Sequence, residues 1–471
     1  MDMKTNRRKF LKEVITAAVG TMSFPYVVPS SALGSPERDA ARAGNVEPSS
    51  RITMGFIGVG GMGTNNMRAF LSQPDVQVVA VCDVVKASNE YGHWYKKGWQ
   101  GPWFGREPAR KIVEDHYARK LQSGGRSPER DALRRSCEAY NDFRDLLARD
   151  DIDAVCITTP DHWHAVPVLM AAAAGKHIYC EKPMSLTVAE GRAMVDAVRR
   201  CGVIFQTGTQ RRSSQRFRFI CELVRNGRIG QLKRVTTAIG LNNKEAPPKD
   251  WQPMPVPDWL DYDMWLGPAP WAPYHKDRCL YTFRFGLDYS GGQTTNLGAH
   301  AIDIVQWANG TDHTGPIEVE DLGGEFPRDG LFTTATKVHF RARYANDVEL
   351  VCRTEEGGPL RFEGTDGWIQ IQNDELTCYP KSLTTSVIGP NETHLYKSDD
   401  HHRNFIDCIK VHRETAAPVE IGHRSVTICH LGNIAMTLKR RLLWDPKKER
   451  FVNSEQANRM LSRSMRSPWR L

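Results

Sequence analysis

Residues 52–63, Ile52-Thr53-Met54-Gly55-Phe56-Ile57-Gly58-Val59-Gly60-Gly61-Met62-Gly63, carry the most informative pattern in this sequence. The first half is an apolar run typical of a buried strand, and the second half has the spacing G-x-G-x-x-G. In that spacing Gly58 permits a tight turn, Gly60 lets the backbone approach a pyrophosphate, and Gly63 lets the next helix pack closely. A helical segment at 64–72 follows, so phosphates would lie at a helix N-terminus. The pattern predicts a dinucleotide site, with a coincidental glycine turn as the alternative.

A second apolar strand, 76–82, ends at Asp83, which lies 20 residues beyond Gly63. An acid at this place typically binds the adenosine ribose hydroxyls of a dinucleotide. Because a carboxylate there would repel a 2′-phosphate, the sequence predicts NAD as the cofactor and makes NADP the less favoured choice.

Strands and helices alternate through the next part of the chain. Strands are predicted at 153–157, 176–180 and 203–205, and helices at 145–149, 164–174 and 188–200. Strands separated by helices predict an α/β domain with a doubly wound parallel sheet. The aromatic residues of the insertion that precedes them either wall a cleft or pack the insertion onto this domain; they are Trp94, Tyr95, Trp99, Trp103 and Phe104.

The second half has a different pattern. Segments 232–238, 337–344, 348–351 and 368–371 read as strands, several of them with the alternation of a half-buried sheet, which predicts an α+β domain with an open, mostly antiparallel sheet. The predicted domains are therefore a dinucleotide-binding domain at 51–206 and a substrate-binding and oligomerisation domain at 207–471.

The N-terminus reads as an export signal. Asn6-Arg7-Arg8-Lys9-Phe10-Leu11-Lys12 precedes a short apolar stretch and a small-residue exit at 32–34. The arginine pair resembles the twin-arginine signal, which implies export of the folded protein to the periplasm. We therefore expect a signal peptide at 1–34 and a Ser- and Pro-rich linker at 35–50, with an amphipathic N-terminal helix as the alternative.

Composition excludes several classes of protein. The 471 residues are 40% hydrophobic and 25% charged, and no uncharged apolar stretch is long enough to span a membrane. The net charge of +8 is too dilute over this length for a nucleic-acid-binding surface. The 11 cysteines form no C-x-x-C pair, and no His or Cys spacing predicts a metal site.

Two predicted strand ends carry polar clusters, 158–164 (Thr-Thr-Pro-Asp-His-Trp-His) and 180–183 (Cys-Glu-Lys-Pro). Ligands of doubly wound sheets bind beyond the carboxyl ends of the strands. An ammonium at Lys182 beside a nicotinamide would hydrogen-bond a substrate hydroxyl and stabilise the alkoxide as hydride leaves. A surface lysine is the alternative.

The glycine motif, Asp83, the 158–164 cluster and Glu-Lys-Pro together resemble the Gfo/Idh/MocA family, which includes glucose–fructose oxidoreductase and inositol dehydrogenase. The similarity continues at 208–210 (Gly-Thr-Gln) and at 291–303. It implies that Lys182 contacts substrate and nicotinamide ribose and takes part in proton transfer. The resemblance places the NAD contacts on the following residues: Gly58, Gly60, Met62, Gly63, Asp83, Thr159, Pro160, His164, Glu181, Lys182 and Gln210.

The family commonly has an Asp four residues before a catalytic His, and the matching positions here are Asn296 and His300. We expect His300 to act as a general base with a pKa near neutrality, and Asn296 to orient a ring or a sugar hydroxyl. A buried structural histidine is the alternative for His300. Asn296 departs from the family pattern, because an amide cannot raise the basicity of the histidine.

The Pro- and aromatic-rich segment 242–290 supplies Tyr281 and Arg284 as expected sugar contacts. The basic run 211–218 is either an anion site or, more commonly, a solvated helix start or an oligomer contact.

The resemblance implies an NAD(P)-dependent oxidoreductase that acts on a hydroxyl of a sugar, glycoside or cyclitol, as a homodimer or homotetramer. Because the periplasm has no NAD pool, an exported enzyme would carry its cofactor bound and restore it within each cycle. An NAD-dependent glycosidase that works by transient oxidation, elimination and re-reduction is the first alternative. A non-catalytic binding protein that kept the dinucleotide fold is the second.

Overall fold

The computed structural model describes residues 51–92, 101–122, 137–240, 250–355, 358–373, 375–452 and 454–471. The predicted signal peptide and linker, and three of the insertion aromatics (Trp94, Tyr95 and Trp99), lie outside these residues and stay predictions.

The first sheet has six parallel strands in the order β3-β2-β1-β4-β5-β6. Its strands are β1 (Ile52–Ile57), β2 (Val76–Cys82), β3 (Glu138–Tyr140), β4 (Ala154–Ile157), β5 (His177–Cys180) and β6 (Phe205–Thr207). The strands are buried along most of their length because helices cover both faces, which is why they read as continuous apolar runs rather than alternating ones. The predicted doubly wound parallel sheet is confirmed.

The helices between these strands are α1 (Gly61–Leu71), α2 (Arg106–Gln122), α3 (Phe143–Leu147), α4 (Ala165–Ala173) and α5 (Val188–Cys201). Local sequence sets some of their ends. The Thr187 side chain accepts a hydrogen bond from the backbone N–H of Glu190 at the start of α5, and Gly202 ends that helix with φ of 65°.

The second sheet has nine strands in the order β13-β12-β11-β7-β10-β9-β8-β14-β15, in which only the β7–β10 pair is parallel. Its strands are β7 (Leu232–Ile239), β8 (Glu318–Asp321), β9 (His339–Arg343), β10 (Glu349–Thr354), β11 (Leu360–Gly364), β12 (Trp368–Gln372), β13 (Glu375–Tyr379), β14 (Arg441–Asp445) and β15 (Arg450–Val452). Burial alternates along β9 and β12, so one face of the sheet packs on the core and the other carries polar residues. This confirms the predicted mostly antiparallel sheet.

The remaining helices are α6 (Gln215–Arg225), α7 (Tyr262–Leu266), α8 (Gln293–Asn296), α9 (Gly298–Asn309), α10 (His401–Val411), α11 (Val419–Leu438) and α12 (Glu455–Arg459). Apolar residues of α6, α9 and α11 pack on the inner face of the second sheet and form one continuous core with it. No helix of the described residues is long and apolar enough to cross a membrane.

Two late segments of the chain pack on the first sheet rather than on the second. Phe405 and Ile409 of α10 belong to the same apolar cluster as Phe70 of α1, and Trp469 contacts Trp163 with ring centroids 4.7 Å apart. The predicted division between residues 206 and 207 separates the strands of the two sheets. Packing crosses this division, because α10 and the C-terminal segment around Trp469 contact the first sheet although they come after residue 207.

Candidate active site

A cavity of about 620 Å³ lies at the carboxyl edge of the first sheet, where β1, β2, β4 and β5 end. Segments that follow these four strands line it, together with residues from 264–300. The cavity brings together most of the residues predicted from sequence: Gly58, Gly60, Met62, Gly63, Asp83, Thr159, Pro160, Glu181, Lys182, Tyr281, Arg284, Asn296 and His300. It thus joins the predicted dinucleotide site to the predicted reacting groups.

The glycine-rich turn leaves no room for side chains at the positions that matter. Gly58 has φ of 83°, and a Cβ added there would lie 2.6 Å from the carbonyl oxygen of Thr158. A Cβ on Gly63 would lie 2.0 Å from the carbonyl oxygen of Gly58. No side chain caps the N-terminus of α1, so its first N–H groups are available to an anion. The turn fits a dinucleotide pyrophosphate.

Asp83 lies at the end of β2 with its carboxylate facing the same turn. Its two oxygens accept hydrogen bonds from the N–H groups of Val59 (2.7 Å) and Val85 (2.8 Å). Burial raises the pKa of Asp83 to about 6, against these hydrogen bonds and the charge of Arg106. The ionised carboxylate keeps lone pairs for ribose hydroxyls, so this part of the cavity also fits NAD.

Lys182 is held by a single residue. Its Nζ donates to the backbone oxygen of Asn296 at 2.9 Å and to the side-chain Oδ1 at 3.0 Å, while the amide nitrogen of Asn296 donates to Gln293. Burial lowers the pKa of Lys182, and the positive charges of Arg284 and Arg211 lower it further, whereas Glu181 opposes them. These surroundings therefore make Lys182 lose its proton more easily than an exposed lysine does.

Glu181 is fixed by amide donors. Asn66 and Gln210 each donate a hydrogen bond to its Oε1 at 3.0 Å, and the backbone N–H of Lys182 donates to Oε2. The amide oxygen of Asn66 in turn contacts Nε2 of His402 on α10 at 3.1 Å. A helix far along the sequence thus supports the strand end that carries Lys182.

His300 differs from the sequence-based expectation. It lies on α9 and lines the cavity, as predicted, but its Nδ1 is buried and has no hydrogen-bond partner among the described residues. Burial and the nearby charges of Lys182 and Arg211 hold the pKa of His300 well below its ordinary value. The expected pKa near neutrality is therefore wrong, because desolvation and like charge both disfavour the imidazolium.

Tyr281 and Arg284 both line the cavity, as expected for substrate contacts. The guanidinium of Arg284 stacks 4.1 Å from the ring centroid of Tyr281 and 4.7 Å from that of Phe283. One of its nitrogens donates to the backbone oxygen of Tyr281. These contacts hold the guanidinium plane in place.

Two predicted cofactor contacts lie behind the cavity wall instead of in it. The ring nitrogens of His164 lie 2.8 Å from the carbonyl oxygens of Pro183 and Thr159, so the ring ties together the loops after β4 and β5. Gln210 contacts Tyr179 and Glu181. Both residues position cavity-lining groups; their direct contact with a cofactor stays a prediction.

Sequence reasoning gave no role to Asp161, Asn66 or Tyr91. Asp161 lines the cavity, accepts a hydrogen bond from the Ser290 hydroxyl, and has its pKa raised by burial. The ring of Tyr91 lies so close to Gly60 that a Cβ there would be 2.7 Å from its Cε1. The sequence could have indicated Asp161, because this residue lies inside the polar cluster at 158–164. The roles of Asn66 and Tyr91 depend on how the elements pack, and no local sequence pattern indicates them.

Comparison with known proteins identifies the family to which this chain belongs. The profile of the oxidoreductase family's C-terminal alpha/beta domain matches residues 215–471, which is more than half of the chain. The profile of its NAD-binding Rossmann fold matches residues 111–209. The chain belongs to the Gfo/Idh/MocA oxidoreductase family.

Relatives of this Gfo/Idh/MocA chain have names that indicate different chemistry. A glycosyl hydrolase family 109 protein of Shewanella pealeana is 32% identical over 202 residues, which cover 42% of this chain and 38% of that protein. The myo-inositol 2-dehydrogenase of Thermotoga maritima is 34% identical over 116 residues, covering 24% of this chain and 34% of that protein. The chain thus spans little more than a third of the length of these relatives.

Solved structures share the fold of the Gfo/Idh/MocA chain. The WlbA dehydrogenase of Bordetella pertussis, crystallised with NADH and UDP-GlcNAcA, aligns with a TM-score of 0.55 at 16% identity, covering 84% of this chain and 99% of that one. The Rossmann domain followed by an open sheet is therefore the family architecture.

Proposed function

We propose that this protein is an NAD-dependent oxidoreductase that acts on a CH–OH group of a sugar, glycoside or cyclitol. The observation that carries the proposal is that the Lys182 side chain lines the same cavity as the glycine-rich turn and Asp83. A group able to move a hydroxyl proton and a site shaped for NAD thus share one cavity. When bound, NAD supplies the acceptor for the hydride that leaves the carbinol carbon.

The geometry gives Lys182 a defined task. An ammonium has three N–H donors, and two of them are directed at the oxygens of Asn296. The third can point at a substrate hydroxyl and orient it. In the neutral form, which the lowered pKa favours, Nζ accepts the hydroxyl proton as the carbonyl forms.

His300 supports this step as a neutral imidazole. With its pKa well below the ordinary value, it is uncharged at neutral pH and offers a hydrogen bond to substrate instead of a charge. Asn296 holds Lys182, and Tyr281 and Arg284 supply substrate contacts on the cavity wall.

A second candidate function is the NAD-dependent glycosidase, in which oxidation is followed by elimination of the aglycone, addition of water and re-reduction. The family 109 glycosyl hydrolase among the relatives favours it. The two functions separate in one assay, because the glycosidase releases aglycone with no net NADH, whereas the dehydrogenase accumulates NADH or needs an acceptor.

The proposal also includes the cellular localisation and the oligomeric state of the protein. The twin-arginine pattern at Arg7 and Arg8 supports export to the periplasm with the cofactor bound. Family resemblance supports a homodimer or homotetramer.

Two substitutions at Lys182 test the proposed chemistry. Lys182→Met removes the proton acceptor, and Lys182→Arg keeps a cation beside Asn296 that stays protonated. We expect either change to lower turnover of a screened sugar or glycoside by about 10²- to 10⁴-fold. NAD binding, measured by calorimetry, should remain.

Wild-type turnover in either variant would contradict the role of Lys182. A second outcome would contradict the enzyme itself: no sugar, glycoside or cyclitol changes the nicotinamide absorbance of the NAD-loaded wild type, and no glycoside is cleaved. The chain would then be interpreted as a non-catalytic binding protein.

A further inference from the structure

The charged groups around the reacting end of the cavity are unequally paired. Lys182 and Arg284 both line it, and the charge of Arg211 acts on Lys182 and His300. Among the lining residues the nearby carboxyl groups are Glu181 and Asp161, and each is already engaged with other partners. These cations therefore differ in whether a carboxylate lies close enough to pair with them.

The two carboxylates accept hydrogen bonds from neutral donors, and Glu181 also interacts with the charge of Lys182. Glu181 accepts hydrogen bonds from Asn66 and Gln210 and, being next to Lys182 in the chain, offsets the charge of that ammonium. Asp161 is 5% exposed and accepts a hydrogen bond from the Ser290 hydroxyl. Neither carboxylate hydrogen-bonds Arg284 in the described residues.

Arg284 has no carboxylate within hydrogen-bonding distance among the residues the structure describes, although its charge acts on the buried carboxyl group of Asp161. The Arg284 side chain is only partly exposed, and its guanidinium stacks on the rings of Tyr281 and Phe283. One guanidinium N–H donates a hydrogen bond to the backbone oxygen of Tyr281. A guanidinium has five donors in a fixed planar fork that matches two oxygens of a carboxylate or a phosphate. A partly desolvated cation of this kind is costly unless an anion completes it.

Asn296 adds to the imbalance. The position beside the Lys182 ammonium is filled by an amide, which is neutral, so the wall of α8 contributes no negative charge where the family pattern has a carboxylate. The segment that faces Lys182 therefore supplies no carboxylate to pair with Lys182 or Arg284.

We propose that the substrate carries an anionic group, which Arg284 binds through its guanidinium fork while Lys182 holds the reacting hydroxyl. The inference rests on the proposed function and narrows its substrate class from neutral sugars to acidic ones, with a uronate carboxylate or a sugar phosphate as the two sources of the anion.

The test measures binding to the NAD-loaded full chain by calorimetry. The ligands are methyl β-D-glucuronide, its neutral counterpart methyl β-D-glucoside, and glucose 6-phosphate. We expect one of the two anions to bind about 10- to 100-fold more tightly than the neutral glucoside, with the preference falling as salt is added. The tighter anion identifies the source.

Arg284→Gln should remove most of this preference, because it should weaken binding of the acidic ligand far more than binding of the neutral glucoside. The matched control is Arg278→Gln, because Arg278 comes from the same segment and lies 5.1 Å from the Trp251 ring centroid, but does not line the cavity. Arg284→Lys keeps the charge without the fork and should retain only part of the preference.

Equal or undetectable binding of the acidic and neutral ligands by the wild type overturns the proposal, and so does a preference that survives Arg284→Gln. Because the readout is binding, it is separate from turnover. Arg284-dependent anion binding without any oxidation would overturn the proposed enzyme activity and keep only the anion site at Arg284.

Discussion

Asn296 shows how one side chain sets the protonation of another. Its Oδ1 accepts from Lys182 Nζ at 3.0 Å, at a position where the family pattern has a carboxylate. A neutral amide orients the ammonium but stabilises its charge less than a carboxylate would, so burial and the neighbouring arginines lower the pKa of Lys182 against the opposing charge of Glu181.

Asn296→Asp should reverse this effect. A carboxylate in contact with Nζ favours the charged lysine, so the pKa of Lys182 rises and the neutral amine forms only at higher pH. The limb of the pH–rate profile on which activity rises with Lys182 deprotonation should move to higher pH. The measurement is kcat/KM against pH.

Asn296→Ser serves as the control, because it alters the hydrogen bond without adding charge. A limb that stays in place in Asn296→Asp, or that moves to lower pH, would show that Lys182 is not the titrating group.

At the level of elements, α10 joins the C-terminal half of the chain to the first sheet. Besides His402, which contacts Asn66, it carries Arg403 and Lys410, which both pair with Asp75 just before β2. Asp75 is 5% exposed. Although burial raises it, the hydrogen bonds and charges of these two cations lower the pKa of Asp75 from 3.8 to about 2.

Asp75→Asn should therefore destabilise the protein by about 2 kcal/mol at neutral pH, the free energy that corresponds to this shift. Because the folded-state pKa lies below the ordinary value, the stabilisation is complete above pH 3.8 and is lost as the pH falls towards about 2. The measurement is the midpoint of thermal unfolding of wild type and variant across this range.

Asp407→Asn is the matched control, since Asp407 pairs with the same Arg403 but is largely exposed, and exposed pairs contribute little. An equal loss of stability in both variants would contradict the assigned role of Asp75.

For the whole molecule, the prediction concerns the cofactor. Under the proposed export, the folded protein has no NAD pool to draw on outside the cytosol, so a repeated cycle requires tight retention of the cofactor. Protein purified from the periplasm and then denatured should release about one NAD(H) per chain, as expected when the ligand far exceeds its Kd during folding. The double variant Arg7→Lys, Arg8→Lys, retained in the cytosol, is the control.

Release near zero from exported protein, with activity returning only on added NAD, would contradict the internally restored cofactor. The protein would then act as an ordinary exchanging dehydrogenase.

Much of the local structure followed from pattern alone. The spacing of Gly58, Gly60 and Gly63 predicted the turn because steric limits there tolerate no Cβ, and Asp83 follows β2 as expected. Apolar runs identified five of the six strands of the first sheet. The following strands were missed because each is short and carries charged residues: β3, β8, β11, β13, β14 and β15.

The sequence by itself determined the fold class, the dinucleotide turn and the identity of Lys182 and His300 as cavity residues, because each depends on local spacing at a strand or helix end. Only the tertiary structure decided how those groups are tuned. The contact of Asn296 with Lys182, the unpartnered Nδ1 of His300 and the unpaired guanidinium of Arg284 join segments more than a hundred residues apart or depend on burial. Desolvation and charge proximity act through space, so no local pattern records them.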